Sequence, residues 1–157
     1  MQSSTAAIAL VRRERDGKTQ WLARWSHDPD VFTFVGGHKA DGESYRDCLI
    51  CEVIEGLGLE PEADFVVADT PQSQLEYMGW ADGTRQETAY TMELYSVQLT
   101  GDFAHDKIDS DADNRWLWET EIQNRETSDG KPISGTMNLL LELAGLLNTN
   151  QSDSNEM

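Results

Sequence analysis

Length, composition and charge set the first limits on this chain. It has 157 residues, enough for one compact domain with a sizeable hydrophobic core. The formal net charge is −17. Because phosphate backbones require a basic surface, we expect no binding to duplex nucleic acid or to an anionic membrane. A small anionic substrate stays compatible with this charge, since a divalent cation and a few arginines reverse the local field.

The N-terminal segment MQSSTAAIALVRRER has a short apolar stretch that is followed by basic residues. A signal peptide has the opposite order, and no apolar run in the chain approaches the ~20 residues that span a bilayer. These features predict a cytoplasmic protein.

The first half of the chain is predicted to fold as three strands followed by a helix. The strands are rich in β-branched and aromatic residues between turn signals, whereas the helix has one broad apolar side. The predicted elements are strands Thr5–Arg12 and Thr19–Trp25 around an Asp16-Gly17 turn, strand Val31–Val35, and helix Ser44–Leu57, which Gly58 ends.

The second half is predicted to add further strands and a terminal helix. The elements are strands Phe65–Ala68, Gln74–Met78 and Thr88–Leu99 with a turn at Asp82-Gly83, an acidic loop His105–Asn114, strand Arg115–Trp118, a helical turn Glu119–Ile122 and helix Thr136–Leu147. The polar segment 148–157 is expected to be disordered. No repeat or shift of composition marks a second domain. We therefore expect one domain over residues 1–147, of α/β (α+β) class with a mixed sheet between helices.

The two cysteines of the chain, Cys48 and Cys51, have C-x-x-C spacing, which is typical of redox motifs and of some zinc sites. A thioredoxin-like pair lies between a strand and a helix N-terminus, whereas this pair lies within the predicted helix. No further Cys or His pair has zinc-finger spacing. We interpret both cysteines as packing residues, with redox or zinc chemistry as the alternative.

The predicted helix carries a cluster of carboxylates. Residues at i, i+3 and i+4 share a helix face, so Glu52, Glu55 and position 56 lie together. Carboxylates this close repel one another unless a cation joins them, and hard oxygen ligands suit Mg²⁺ or Mn²⁺. Such a cation binds phosphate oxygens and lowers the pKa of a bound water.

The segment before this helix is suited to a close approach by a ligand. Gly36 and Gly37 allow main-chain amides and carbonyls to come near a substrate. Glu43 lies close to the helix start, where a carboxylate caps free amides or joins an outer ligand shell.

With these residues in place, the segment Gly37–Leu59 resembles the signature of the Nudix hydrolases, G-x5-E-x7-R-E-U-x-E-E-x-G-U, where U is a bulky aliphatic residue. Seven of the nine fixed positions match, with no gap in the spacing: Gly37, Glu43, Glu52, Val53, Glu55, Gly58 and Leu59. Cys51 replaces the arginine and Gly56 replaces the last glutamate. The strands and helices around the box also follow the family's order, over about residues 5 to 147.

The resemblance implies a Nudix-type α/β/α sandwich and a hydrolase that cleaves the pyrophosphate of a nucleoside diphosphate linked to a group X. It implies Glu52 and Glu55 as catalytic residues and metal ligands. The Gly36 carbonyl and Glu43 are further candidate ligands. The implied cofactor is Mg²⁺ or Mn²⁺. Family members are often dimers, so the resemblance also makes a homodimer a candidate assembly, which no feature of the sequence decides.

The two departures weaken this expected metal site. Cys51 cannot orient a glutamate through an ion pair, and Gly56 has no side chain to bind a cation. The acidic stretch Asp106–Asp113 offers a replacement ligand, for which we select Asp111, with a solvated acidic turn as the alternative. Its D-x-D-x-D pattern is not a calcium loop, because the required Gly and Glu are absent.

Several residues outside the box are candidates for substrate binding. Arg24 on a strand, the main chain of Gly37, and His38 after it are placed to meet a phosphate. Trp80, Arg85 and Tyr90 are candidates for a wall against a base or ribose, with core packing or surface exposure as the alternatives. The leading hypothesis is a metal-dependent hydrolase. The alternative is a Nudix fold that has lost hydrolysis and binds a nucleotide or a protein.

Overall fold

The computed structural model describes residues 2–27, 30–80 and 87–147. Its strands are β1 (Gln2–Leu10), β2 (Arg12–Arg15), β3 (Lys18–His27), β4 (Asp30–Thr33), β5 (Gly36–His38), β6 (Phe65–Val67), β7 (Ser73–Trp80), β8 (Glu87–Leu99) and β9 (Asn114–Trp118). Its helices are α1 (Tyr45–Leu57), α2 (Asp102–Ser110), α3 (Glu119–Asn124) and α4 (Gly135–Leu143).

By its internal contacts the chain divides into two compact units. The first comprises Met1–Leu10 and Val35–Ile108. It contains a five-stranded mixed sheet of order β5-β1-β8-β6, with β7 also paired to β8. Strand β1 runs parallel to β8 and antiparallel to β5, which places the short glycine strand directly beside the first strand of the chain.

The second unit comprises Val11–Phe34 and Asp109–Met157. Its sheet has the order β2-β3-β4, with β9 also paired to β3, and every pairing is antiparallel. The predicted turn between β2 and β3 is confirmed, since both turn residues have positive φ, 55° at Asp16 and 75° at Gly17. This is the backbone of a type I′ hairpin turn, which an Asp-Gly pair favours.

Helix α1 matches its prediction closely. The Ser44 side chain caps the helix by accepting a hydrogen bond from the Asp47 amide at 3.0 Å. Gly58 ends the helix in the left-handed conformation, with φ 69°. The buried face of α1 consists of Cys48, Leu49, Val53 and Leu57.

The prediction of an acidic loop over His105–Asn114 is wrong for most of its length, because α2 occupies residues Asp102–Ser110. Ala104 and Ile108 are four residues apart, share one helix face and are 0% and 1% exposed. Burial of this pair outweighs the polar composition that suggested a loop. Asp102 in the first turn and Lys107 in the last also suit the helix dipole.

The prediction of an α+β fold with a mixed sheet is confirmed. Several boundaries differ from prediction. Thr5–Arg12 is divided between β1 and β2, the strand predicted at Val31–Val35 is Asp30–Thr33, and the terminal helix ends at Leu143 instead of Leu147. No helix in the described ranges is both long and apolar enough to cross a membrane. The predicted Asp82-Gly83 turn and the predicted disordered segment 148–157 lie outside the described residues.

Candidate active site

The Glu52 carboxylate lies directly against Gly37. Strand β5 holds Gly37 opposite Ala7, and α1 carries Glu52. A Cβ built on Gly37 would lie 2.5 Å from Glu52 Cδ and 2.9 Å from Oε2, closer than any side chain allows. Position 37 therefore has to be glycine for the carboxylate to reach the main chain of β5.

Gly36 is required for a different reason. A Cβ at Gly36 would clash with the main-chain carbonyl oxygen of Ala7, and it would also lie 3.1 Å from Cα of Ile8, its register partner on β1. The double glycine thus serves two contacts, one within the sheet and one with the helix.

Three glutamates of the box lie within electrostatic reach of one another. Burial raises the pKa of Glu52 above its usual value, and the charges of Glu55 and Glu43 raise it further, while His38 acts in the opposite direction. Glu52 is half-buried and Glu55 is exposed. The charges of Glu55, Glu43 and His38 therefore all act on the Glu52 carboxylate.

Glu43 has structural partners of its own. Its Oε1 accepts a hydrogen bond from the Ala40 amide at 2.9 Å, and its proximity helps to raise the pKa of the Cys48 thiol. His38 is exposed, with its Nδ1 3.1 Å from the Ser4 Oγ. These contacts fix the segment 38–43 between β5 and α1.

Cys48 has a role that the sequence analysis missed. Its Sγ donates toward the carbonyls of His38 and Gly37, at 3.5 and 3.6 Å, and the residue is 2% exposed. Burial, together with Glu43 and Glu52, raises the pKa of the thiol to about 11. The available signal was its position four residues before Glu52, on the same helix face. Cys51 is exposed, and neither cysteine forms a disulfide.

Gly56 lies within α1 without any packing reason to be glycine. A Cβ there would meet a single described atom, Val35 Cγ1, at an ordinary 3.6 Å. The surroundings of position 56 therefore leave room for a residue with a Cβ.

Arg24 and Asp111 are paired within the second unit. Arg24 Nη1 donates to Asp111 Oδ2 and to Asn114 Oδ1, each at 2.9 Å. The other oxygen of Asp111 accepts a hydrogen bond from the Asp113 amide at 3.0 Å. Asp111 was predicted as the replacement ligand, and both of its carboxylate oxygens accept hydrogen bonds. Arg24 was predicted to contact a phosphate, and its guanidinium already donates to Asp111 and Asn114.

Within residues 2–27, 30–80 and 87–147, no three His, Cys, Asp or Glu side chains form a group that could together hold a metal ion. Tyr90, a candidate for the base wall, stacks on Tyr77, with ring centroids 5.0 Å apart and planes 19° from parallel. Arg85 and the Trp80 side chain lie outside the described part of the structure.

Comparison with known proteins identifies the family. The NUDIX domain profile matches residues 3–134, so the chain belongs to the NUDIX family. A search of curated proteins finds no match. The predicted resemblance is therefore confirmed at the level of the family, whose hydrolases generally use divalent metal ions.

Solved structures support the fold. The chain superposes on an Ap4A hydrolase from C. elegans with a TM-score of 0.54 and 20% identity, covering 90% of this chain and 95% of that one. It superposes on RenU, a Nudix hydrolase from M. smegmatis, with a TM-score of 0.52 and 18% identity, covering 92% and 90%. It also superposes on NrtR from Shewanella oneidensis, with a TM-score of 0.60 and 14% identity. This match covers 89% of this chain and 60% of the NrtR chain.

NrtR has also been solved with a 27mer DNA, and its NUDIX domain with ADP ribose. The fold therefore occurs in a DNA-bound protein, and our expectation that this chain does not bind duplex nucleic acid has no support from its structural neighbours. All of these identities are low, and they establish the fold alone.

Proposed function

We propose that this protein is a divalent-metal-dependent Nudix hydrolase that cleaves the pyrophosphate of a nucleoside diphosphate linked to a group X. The observation that carries the proposal is the contact of the Glu52 carboxylate with Gly37, with Glu55 and Glu43 nearby. This geometry preserves the centre of the box despite the two substitutions at Cys51 and Gly56.

Some of the candidate ligands have the oxygen donors that a hard cation prefers, whereas others are already engaged. Carboxylate oxygens at Glu52 and Glu55 suit Mg²⁺ or Mn²⁺, and the Gly36 carbonyl and Glu43 are further candidates for the ligand set. When bound, the cation would bind phosphate oxygens and neutralise the charge that develops on them. Asp111 is a weaker candidate, because it is paired with Arg24 at 2.9 Å.

The chain's own groups would orient the reactants. The Glu52 carboxylate lies against Gly37, and the exposed Glu55 is accessible to a water molecule. In the proposed reaction the water oxygen bonds to phosphorus, the bridging P–O bond breaks, and one of the two glutamates takes the proton from water. The bridging oxygen leaves with one of the two phosphates, so the products are a nucleotide and the phosphorylated group X, one of which carries the oxygen from water. His38 and the Gly37 amide are the proposed phosphate contacts, with Arg24 and Arg85 as further candidates.

The remaining expectations belong to this proposal. We propose a single domain over residues 1–147 that acts in the cytoplasm on a small nucleotide, as a monomer or a homodimer. The charge of −17 supports a protein that does not bind duplex nucleic acid or membranes.

A second candidate is a Nudix fold that binds a nucleotide without hydrolysing it. Gly56 favours this second candidate, because it provides no carboxylate at a position where the surroundings leave room for a Cβ.

A metal-dependent assay separates the two candidates. The panel is ADP-ribose, NADH, dinucleoside polyphosphates, oxidised dNTPs and nucleotide sugars, each with Mg²⁺ or Mn²⁺. Turnover that Glu55→Gln abolishes supports the hydrolase. Binding of a panel member by wild-type protein, without turnover of any, supports the binding module.

A further inference from the structure

We propose that this site holds its divalent cation only together with a nucleotide, whose phosphate oxygens supply the coordination that the chain's own side chains lack. This inference rests on the proposed function and names how its metal is acquired. It predicts positive coupling between metal binding and nucleotide binding.

Glu43 is held by a main-chain contact in the segment before α1. One of its oxygens accepts a hydrogen bond from the Ala40 amide at 2.9 Å. To bind a cation through this oxygen, Glu43 would have to give up its contact with Ala40. We therefore assign Glu52 and Glu55 as the two main carboxylate ligands and Glu43 as a weaker candidate.

Position 56 follows Glu55 and lies four residues after Glu52 on α1. Gly56 offers no ligand atom from a side chain, although a Cβ there would meet Val35 Cγ1 at an unstrained 3.6 Å. Gly56 is also absent from the glycines with positive φ, so its backbone is compatible with any L-residue. The missing ligand can therefore be restored by one substitution.

Asp111, the predicted replacement ligand, is already hydrogen-bonded. Asp111 has both oxygens engaged, by Arg24 at 2.9 Å and by the Asp113 amide at 3.0 Å. In the ranges that the structure describes, no three metal-ligating side chains form a group. Two carboxylates are too few for an all-protein cage around an octahedral cation.

A site with one or two carboxylates is the usual setting for Mg²⁺, which retains several waters and takes the rest of its ligands from substrate phosphates. In such a site the nucleotide strengthens metal binding, and by thermodynamic reciprocity the metal strengthens nucleotide binding by the same factor. We expect this factor to be at least about tenfold.

Electron paramagnetic resonance of free aqueous Mn²⁺ measures the coupling without any turnover. Mn²⁺ is titrated into wild-type protein alone, and then with saturating α,β-methylene-ADP or methylenediphosphonate, neither of which can be hydrolysed at the bridging carbon. Titrations of each probe without protein correct for the Mn²⁺ that it binds in solution. The expected result is weak binding to the protein alone and at least tenfold tighter binding with a probe.

Substitutions at position 56 isolate the cause. Gly56→Glu should bind Mn²⁺ without a probe at least tenfold more tightly than wild type, and its coupling should shrink. Gly56→Gln is the matched control, with nearly the same size and no charge, and should behave like wild type. Circular dichroism spectra establish that each variant is folded.

The outcomes distinguish the inference from the proposed function. Tight Mn²⁺ binding by wild-type protein alone, unchanged by either probe, overturns the inference and leaves a metal-dependent hydrolase intact. Absence of Mn²⁺ binding both with and without the probes overturns the inference and counts against the proposed function as well.

Discussion

The Glu52 carboxylate of α1 packs against the main chain of β5 at Gly37, in space that a Cβ at position 37 would occupy. This contact joins the carboxylate helix to the glycine strand and fixes the position of one candidate ligand. The nearby Glu55 and Glu43 complete the acidic cluster. The proposed chemistry depends on this one close approach.

Gly37→Ala tests the contact directly. The added methyl group would displace the Glu52 carboxylate, and a misplacement of about 1 Å costs on the order of 10²-fold in rate. We expect that loss in kcat/KM toward whichever panel substrate is turned over, together with weaker Mn²⁺ binding in the presence of α,β-methylene-ADP.

Gly56→Ala is the control for Gly37→Ala, because it adds a methyl group to the same region where space exists. It should raise the free energy of unfolding by roughly 1 kcal/mol, since alanine favours helices more than glycine does. Full activity in Gly37→Ala would show that the position of Glu52 does not matter.

The Cys48 thiol predicts a pH dependence of stability. Burial, with Glu43 and Glu52, raises its pKa from the usual 9.0 to about 11 in the folded protein. The raised pKa means that folding favours the neutral thiol. Its stabilising contribution is therefore complete below about pH 9 and is lost as the pH rises through about 11.

Thermal unfolding of wild type and of Cys48→Ala, followed from pH 7 to 11, measures this effect. The difference in Tm between the two proteins should shrink as the pH rises, because only wild type has a thiol to ionise at this position. The tyrosines are common to both proteins and cancel in the comparison. A difference in Tm that stays constant up to pH 11 would contradict a buried neutral thiol.

The Arg24–Asp111 ion pair predicts a modest energetic coupling. The side chains are 29% and 43% exposed, and pairs in such settings contribute up to about 1 kcal/mol. A double-mutant cycle of Arg24→Gln and Asp111→Asn, read by urea unfolding, should give a coupling of roughly 0.5–1 kcal/mol. If Arg24 also contacts a substrate phosphate, Arg24→Gln should raise KM while Asp111→Asn leaves it nearly unchanged. Strict additivity in stability would show that the pair contributes nothing to the fold.

Ile108→Ala on α2 should lower the free energy of unfolding by a large amount, because it removes a buried side chain. Ile108 is 1% exposed, and Ile→Ala substitutions in a core cost about 2–5 kcal/mol. Phe103 on the same helix is 62% exposed, and Phe103→Ala should change stability by less than about 0.5 kcal/mol. Equal changes in the free energy of unfolding for the two substitutions would contradict the burial of Ile108 and the exposure of Phe103 on α2.

The sequence predicted those parts of the fold where local signals agree. Ser44, Gly58 and the apolar side between them define α1, and Asp16-Gly17 defines a hairpin turn, because capping and turn residues act over a few positions. It failed at α2, where two buried apolar residues, Ala104 and Ile108, carry the helix. Burial of a single pair depends on packing partners distant in sequence, which no local pattern reveals.

The site was predicted to a similar extent. The spacing of Glu52 and Glu55 was sufficient to place them near each other on α1, because helix geometry fixes it. The Cys48 contact with the His38 carbonyl and the Arg24–Asp111 pair were not predicted. Both depend on how separate elements pack, which the order of residues alone does not specify.

Hydrolysis in ¹⁸O-labelled water tests the central claim most directly. The panel nucleotides are incubated with Mg²⁺ or Mn²⁺, and the products are analysed by mass spectrometry. The account predicts that one of the two phosphorylated products gains a single ¹⁸O atom, and that Glu52→Gln and Glu55→Gln each reduce the rate at least about 10²-fold. Absence of turnover across the panel, or unchanged rates in both variants, would contradict a hydrolase built on these two glutamates.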